Sequence, residues 1–168
     1  MTTDRQFDPI RSFQTLNRHG VQYVVIGGFA GKLLGSTILT VDIDVCYSRD
    51  PKNLERLAAA LRELHAELRG APKNLPFRLD SRTLRKGDSF TFVTDAGDLD
   101  ILGMPAGSGG YEALRRNATE LDLGEVTVWV AGIEDLIAMK RASGRLRDLA
   151  HLEVLAALRD EIERGGVR

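Results

Sequence analysis

The sequence predicts an α+β, or mixed α/β, domain, and three features lead there. Helix and strand patterns alternate through the N-terminal part, two hairpin signals follow, and the C-terminal part is helical. The order contains no regular β-α-β repeat, no internal repeat and no low-complexity tract.

"FDPIRSFQTLNRHG" reads as a helix: Asp8 can cap it, Pro9 suits its first position, Ile10, Phe13 and Leu16 share a face, and Gly20 can end it. Val21 to Ile26 is β-branched and apolar, as a buried strand is, and Gly27-Gly28 breaks it. A short helix over Phe29 to Leu34 is expected next. In "VDIDVCY" the alternation puts Val41, Ile43 and Val45 on one strand face and Asp42 and Asp44 on the other.

Asp50 and Pro51 open an amphipathic helix whose Leu54, Leu57, Ala58, Leu61, Leu64 and Leu68 recur at helical spacing, with Gly70 and Pro72 closing it. The polar stretch from Ala71 to Gly87 reads as a loop with one weak strand around Phe77 to Leu79. "SFTFVTDAGDLDILG" is a hairpin signal that turns at Asp95 to Gly97 and places Asp100 in a strand between Leu99 and Ile101. Beyond the glycine-rich "GMPAGSGG", a helix near Tyr111 to Asn117 leads to a second hairpin turning at Gly124-Glu125. From Ile133 the chain is helical, broken near Gly144, with a last helix over about Leu146 to Arg164.

With 168 residues the chain suits one domain with a substantial core, so 1–168 is expected to be a single unit with a core over about 7–131 and a helical part over about 132–168. Its 43% hydrophobic and 28% charged content, with neither a long uncharged apolar run nor a cleavable leader pattern, leads us to expect a cytoplasmic protein with no membrane partner. The 23 Lys and Arg against 24 Asp and Glu leave no global charge for nonspecific nucleic-acid binding. A local basic surface remains open, drawn from Arg82, Arg85, Lys86, Arg115, Arg116 and the basic residues from Lys140 to Arg147. Cys46 is the single cysteine, which excludes an internal disulfide or a cysteine-built zinc site, and its apolar neighbours suit a buried position. His19, His65 and His151 lack ligand spacing.

The glycine stretch "VVIGGFAGKLLGSTILTVDID" fails two familiar tests. In a P-loop, Ile26 would stand where the first glycine belongs, and Leu33 follows Lys32 where a hydroxyl residue should bind magnesium. The adjacent Gly27 and Gly28 do not match the dinucleotide fingerprint either. What remains is a strand ending in Gly-Gly, which lets backbone approach a phosphate, followed by a strand bearing Asp42 and Asp44 for the metal that phosphates need.

"IGGFA...G...T.DID" resembles the signature of the DNA polymerase β-like nucleotidyltransferase superfamily, particularly small bacterial AbiEii-type and MenT-type members. The tail "IEDLIAMKRASGRLRDLAHLEVL" is similar to their C-terminal helices at Leu136, Ile137, Lys140, Arg145, Asp148 and Leu149. The resemblance runs from about Val21 to Leu155, and its distinctive parts are the Gly-Gly pair and Asp-x-Asp. It implies a central mixed sheet flanked by helices with C-terminal helices, and magnesium-dependent transfer of a nucleoside monophosphate from an NTP to an acceptor hydroxyl.

On that resemblance Asp42, Asp44 and Asp100 are the catalytic carboxylates, binding Mg2+ as two ions, while Gly27, Gly28, Thr40, Lys140 and Arg145 serve the nucleotide. Asp98 competes with Asp100 for the third place, since both share a strand face; the apolar Leu99, Ile101 and Leu102 favour Asp100. The implied acceptor is tRNA, in a toxin paired with an antitoxin protein, although other relatives modify antibiotics or proteins.

Bland readings stand beside these. Acids alternating with Val and Ile also suit a solvent-facing edge strand, Lys140 and Arg145 suit a solvated helical face, and Asp148 suits an ion-pair or helix-dipole role. The chain departs from its relatives at Ile38, where many carry arginine, and at Phe29, where many carry a hydroxyl residue. These two positions motivate the alternative of a noncatalytic nucleotide- or partner-binding module.

Overall fold

A computed structural model describes residues 6–165. Helix α1 (Pro9–Arg18) begins where expected: the Asp8 carboxylate accepts the Arg11 N–H at 3.1 Å, satisfying one of the open N–H groups of the first turn. Its buried Phe13 and Leu16 face the sheet. Strand β1 (Tyr23–Ile26) is buried along its whole length and runs directly into α2 (Gly27–Leu33). Strand β2 (Asp42–Tyr47) alternates half-buried acids with buried Ile43 and Val45, and α3 (Pro51–Glu63) follows.

The remaining elements are β3 (Glu67–Leu68), α4 (Ser81–Lys86), β4 (Ser89–Thr94), β5 (Gly97–Leu102), α5 (Tyr111–Asn117), β6 (Thr119–Asp122), β7 (Thr127–Val130), α6 (Ile133–Ser143) and α7 (Leu146–Glu163). The strands form one mixed sheet in the order β3-β4-β5-β2-β1-β7-β6. Pairs β2–β5 and β1–β7 are parallel and the others antiparallel. The middle strands carry the most deeply buried side chains of the sheet: Val24, Val25, Val45, Leu99 and Ile101 are each 0% exposed. Strand β2 is therefore central, and the edge-strand reading of Asp42 and Asp44 does not hold.

Two segments differ from expectation. The helix read through Leu68 stops at Glu63, and His65 at φ 52 turns the chain so that Glu67 and Leu68 pair with Val93 and Phe92. Leu68 fits the helical period by coincidence; the open edge of β4 offers it hydrogen bonds that a further helical turn could not match in burial. The stretch read as a loop contains α4, capped by Asp80, whose carboxylate accepts the Thr83 N–H at 2.8 Å. A single apolar anchor, the buried Leu84, is too sparse a pattern to announce a helix. No strand forms at Phe77 to Leu79; the Phe77 ring packs against Phe90 and Phe92 instead.

Cys46 is buried, and burial pushes its thiol up to about 12. No helix among the described residues is long and apolar enough to cross a membrane.

Candidate active site

Parallel pairing of β2 with β5 sets Asp42 beside Asp98 and Asp44 beside Asp100. Cross-strand partners point to the same face, so four carboxylates meet on one side of the sheet. One oxygen each from Asp42, Asp44 and Asp100 lies within 4.8 Å of the other two. Asp98 is outside that group, and its side chain is 41% exposed against 19% for Asp100.

Three acids so close repel one another. The Asp44 carboxyl is pushed up to about 7, by burial first and then by Asp100 and Asp42, against a smaller opposing effect of Lys140. Burial also raises Asp100, with the Arg69 guanidinium pulling against it. Burial and mutual repulsion thus disfavour the charged form of these acids, a cost that a bound cation would offset. The donors are all carboxylate oxygens, with no thiolate or imidazole among them, which suits a hard cation such as Mg2+ or Mn2+.

The glycine pair supports this cluster unequally. Gly27 lies at φ +71, and a Cβ there would stand 2.1 Å from Asp44 Oδ2. The missing side chain is thus the space Asp44 occupies. At Gly28 a Cβ would meet only Thr40, at 3.4 Å or more. The Thr40 hydroxyl donates to Asp42 Oδ1 at 2.9 Å, which orients that carboxylate.

Lys140, in the last turn of α6, pairs with Asp148 Oδ1 at 3.0 Å, and the Ser143 hydroxyl donates to the other Asp148 oxygen. Asp148 is buried at the start of α7, so it anchors Lys140 rather than capping a solvated turn. Lys140 still lies near enough to influence Asp44. Arg145 is exposed at the N-cap of α7, near enough to Asp148 to add slightly to what keeps that carboxyl low.

Both departures from the relatives have structural counterparts. Phe29 is buried at 6% exposure, packing on Phe7 and Phe13 with ring centroids 6.0 and 5.8 Å apart, so its place in α2 faces the core. Ile38 is half-buried in the loop before β2, where its N–H reaches the Ser36 hydroxyl oxygen. Lys32 is exposed and lies beside the Phe29 ring.

One residue of the cluster escaped the sequence reading. Arg69, just past β3, sends Nη2 to Asp100 Oδ1 at 2.6 Å and Nε toward Asp98 Oδ2 at 3.4 Å. Read as the frayed end of a long helix, "ELRG" gives no reason to look there. A signal existed only in the pairing of that segment with β4, which no local pattern encodes.

The family described as nucleotidyltransferases of unknown function (DUF6036) matches residues 7–163. The chain belongs to this family. Its fold is also that of solved nucleotidyltransferases. The lincosamide antibiotic adenylyltransferase LnuA, in its lincomycin-bound crystal structure, superposes with a TM-score of 0.58 at 13% identity, over 91% of this chain and 99% of its own. TM1012 of Thermotoga maritima, a proposed nucleotidyltransferase, gives a TM-score of 0.52 at 13% identity, over 98% and 99% of the two chains. No curated protein is significantly similar to the chain in sequence. This DUF6036 nucleotidyltransferase therefore shares its fold with both at low sequence identity. The family places it among enzymes and leaves nucleotide and acceptor to be worked out from the site.

Proposed function

We propose that this nucleotidyltransferase uses Asp42, Asp44 and Asp100 to bind divalent cations and transfers a nucleoside monophosphate from an NTP to an acceptor hydroxyl. The observation that carries this reading is the convergence of those three carboxylates within 4.8 Å on two parallel central strands. Divalent ions held there would supply Lewis-acid stabilisation of the attacking and leaving oxygens at the α-phosphorus. We assign them as two Mg2+.

Asp42 is oriented by Thr40 and Asp44 is seated in the space above Gly27, so both enter the reaction already positioned. Asp100 lies on the acceptor side and takes the proton of the hydroxyl as its oxygen attacks phosphorus; pyrophosphate leaves. Lys140 has three N–H donors, of which Asp148 takes one, so the others can meet triphosphate oxygens. Gly27, Gly28, Thr40 and Arg145 complete our assignment of the nucleotide side, with Arg145 meeting outer phosphates from the α7 N-cap.

The resemblance to AbiEii-type and MenT-type proteins makes tRNA our first acceptor and a toxin of a toxin–antitoxin pair our first biological role. The similarity of the fold to an antibiotic adenylyltransferase favours a second reading, a small hydroxylated acceptor. The test incubates the protein with Mg2+, each labelled NTP, and either total RNA or a panel of small hydroxylated compounds, beside Asp42→Ala/Asp44→Ala. Label is expected on RNA with the parent protein alone. Transfer that survives the double substitution would sink the metal assignment, and label on a small compound only would favour the second acceptor.

A further inference from the structure

We propose that Arg69 is a positioning residue for the third carboxylate: by bridging Asp98 and Asp100 it holds Asp100 turned toward Asp42 and Asp44, ready for the cation. This rests on the reading of the three acids as a metal site. The backbone N–H of Arg69 bonds to the Thr91 carbonyl at 2.9 Å, extending the β3–β4 ladder by one residue. Thr91 pairs with Asp100, and Asp100 pairs with Asp44. Arg69, Thr91, Asp100 and Asp44 thus form one row across four adjacent strands.

Strands lie about 4.8 Å apart, so the row sets Arg69 about 10 Å from Asp100 at the backbone, a span that needs a long side chain. The guanidinium is held from both ends: Nη2 donates to Asp100 Oδ1 at 2.6 Å and to the Phe92 carbonyl at 3.1 Å, while Nε, buried and without a hydrogen bond of its own, lies at ion-pair distance, 3.4 Å, from Asp98 Oδ2. Its planar fork meets both acids at once, which the single ammonium of lysine cannot do. Occupying Oδ1 of Asp100 leaves Oδ2 for a cation shared with Asp42 and Asp44. Asp98, excluded from the metal cluster, thereby gains a role as the outer anchor of Arg69.

Removing a positive charge from beside a cation site should, on charge alone, tighten binding of the cation. Loss of positioning should weaken it, so the two accounts predict opposite signs. The experiment measures Mn2+ affinity by titration calorimetry, and the Mn2+ electron paramagnetic resonance spectrum, for the parent protein, Arg69→Met, Arg69→Lys and Asp98→Asn, each shown to be folded by circular dichroism. We expect Mn2+ affinity to fall about tenfold or more in Arg69→Met, as for other outer partners of metal ligands. The spectrum should broaden, Arg69→Lys should recover part of the loss, and Asp98→Asn should shift affinity in the same direction by less. In the transfer assay kcat should fall while the KM for NTP stays close to that of the parent.

Should Arg69→Met fail to fold, Arg69→Lys decides, because it keeps the positive charge, which on charge alone leaves the affinity unchanged, and loses the fork that reaches both acids. Affinity that is unchanged or tighter in the folded variants, with the parent binding Mn2+, overturns this inference alone. A parent that binds no Mn2+ overturns the metal reading and this inference with it.

Discussion

Gly27 and Gly28 look equivalent in the sequence and are not equivalent in space. At Gly27 the backbone has φ +71 and the carboxylate of Asp44 fills the Cβ position. Gly27→Ala should cost about 1–3 kcal/mol from the backbone conformation, and should displace Asp44 as well; Gly28→Ala should be nearly neutral. Urea denaturation with Mn2+ titration of both variants checks this. A second residue-scale prediction concerns Asp44. Its folded pKa of about 7 lies above its unfolded value, so it binds more protons folded than unfolded. Its presence then costs stability as pH rises from about 4 to 7, and the cost is complete above that range. Without added metal at mildly alkaline pH, Asp44→Asn should melt higher, by a few degrees, while losing transfer. An unchanged or lower Tm would contradict the crowding of the three acids. Phe29→Ser, which restores the hydroxyl of many relatives, should lose about 3–5 kcal/mol of core packing. It should gain no tighter NTP binding, because the side chain faces Phe7 and Phe13.

At the scale of elements, the joint between α6 and α7 depends on one buried acid. The Ser143 hydroxyl first, and Lys140 after it, hold the Asp148 carboxyl below the usual carboxylate range. A depressed folded pKa contributes stability that is present above the unfolded pKa and lost as pH falls through the folded one. The contribution is therefore complete at neutral pH and disappears under strongly acidic conditions. Amide hydrogen exchange should show α7 opening before the sheet as pH is lowered, and Asp148→Asn should remove that acid dependence while weakening the joint at neutral pH. Simultaneous loss of α7 and the sheet would refute it. Helix α4 rests on its cap, so Asp80→Ala should cost about 1 kcal/mol. The element order, both hairpins and the break at Gly144 are legible because each rests on local chemistry: caps, turns and alternation. The end of α3, β3 and α4 are not, since each is decided by what a distant strand offers it.

Across the whole molecule the basic residues are spread over separate elements, α4, α5 and the α6–α7 joint. Helix α4, with Arg82, Arg85 and Lys86, leads into Ser89, which pairs with Leu102 at the C-terminal end of β5, beyond Asp98 and Asp100. Lys140 and Arg145 belong instead to the helices beside the acids, and Arg115 stacks on Trp129. If RNA is the acceptor, transfer should fall steeply as salt rises. Replacing Arg141 and Arg145 by serine should flatten that dependence, whereas replacing Arg82, Arg85 and Lys86 should leave it nearly unchanged. Equal effects from the two sets would contradict this placement.

By itself the sequence determined the helices with caps, the strands with strict alternation, and the pair Asp42 and Asp44, because these patterns are written within a few residues of the chain. It also narrowed the third acid to Asp98 or Asp100 and favoured Asp100 for its apolar neighbours Leu99, Ile101 and Leu102. The tertiary structure agrees with that preference, setting Asp100 in the cluster with Asp42 and Asp44 and Asp98 beside Arg69, because parallel pairing of β2 with β5 fixes their depth. Only it distinguished Gly27 from Gly28 and brought Arg69 to the site. Those facts depend on contacts between residues far apart in the chain, and carboxylates act together only where the sheet brings their charges within a few ångströms.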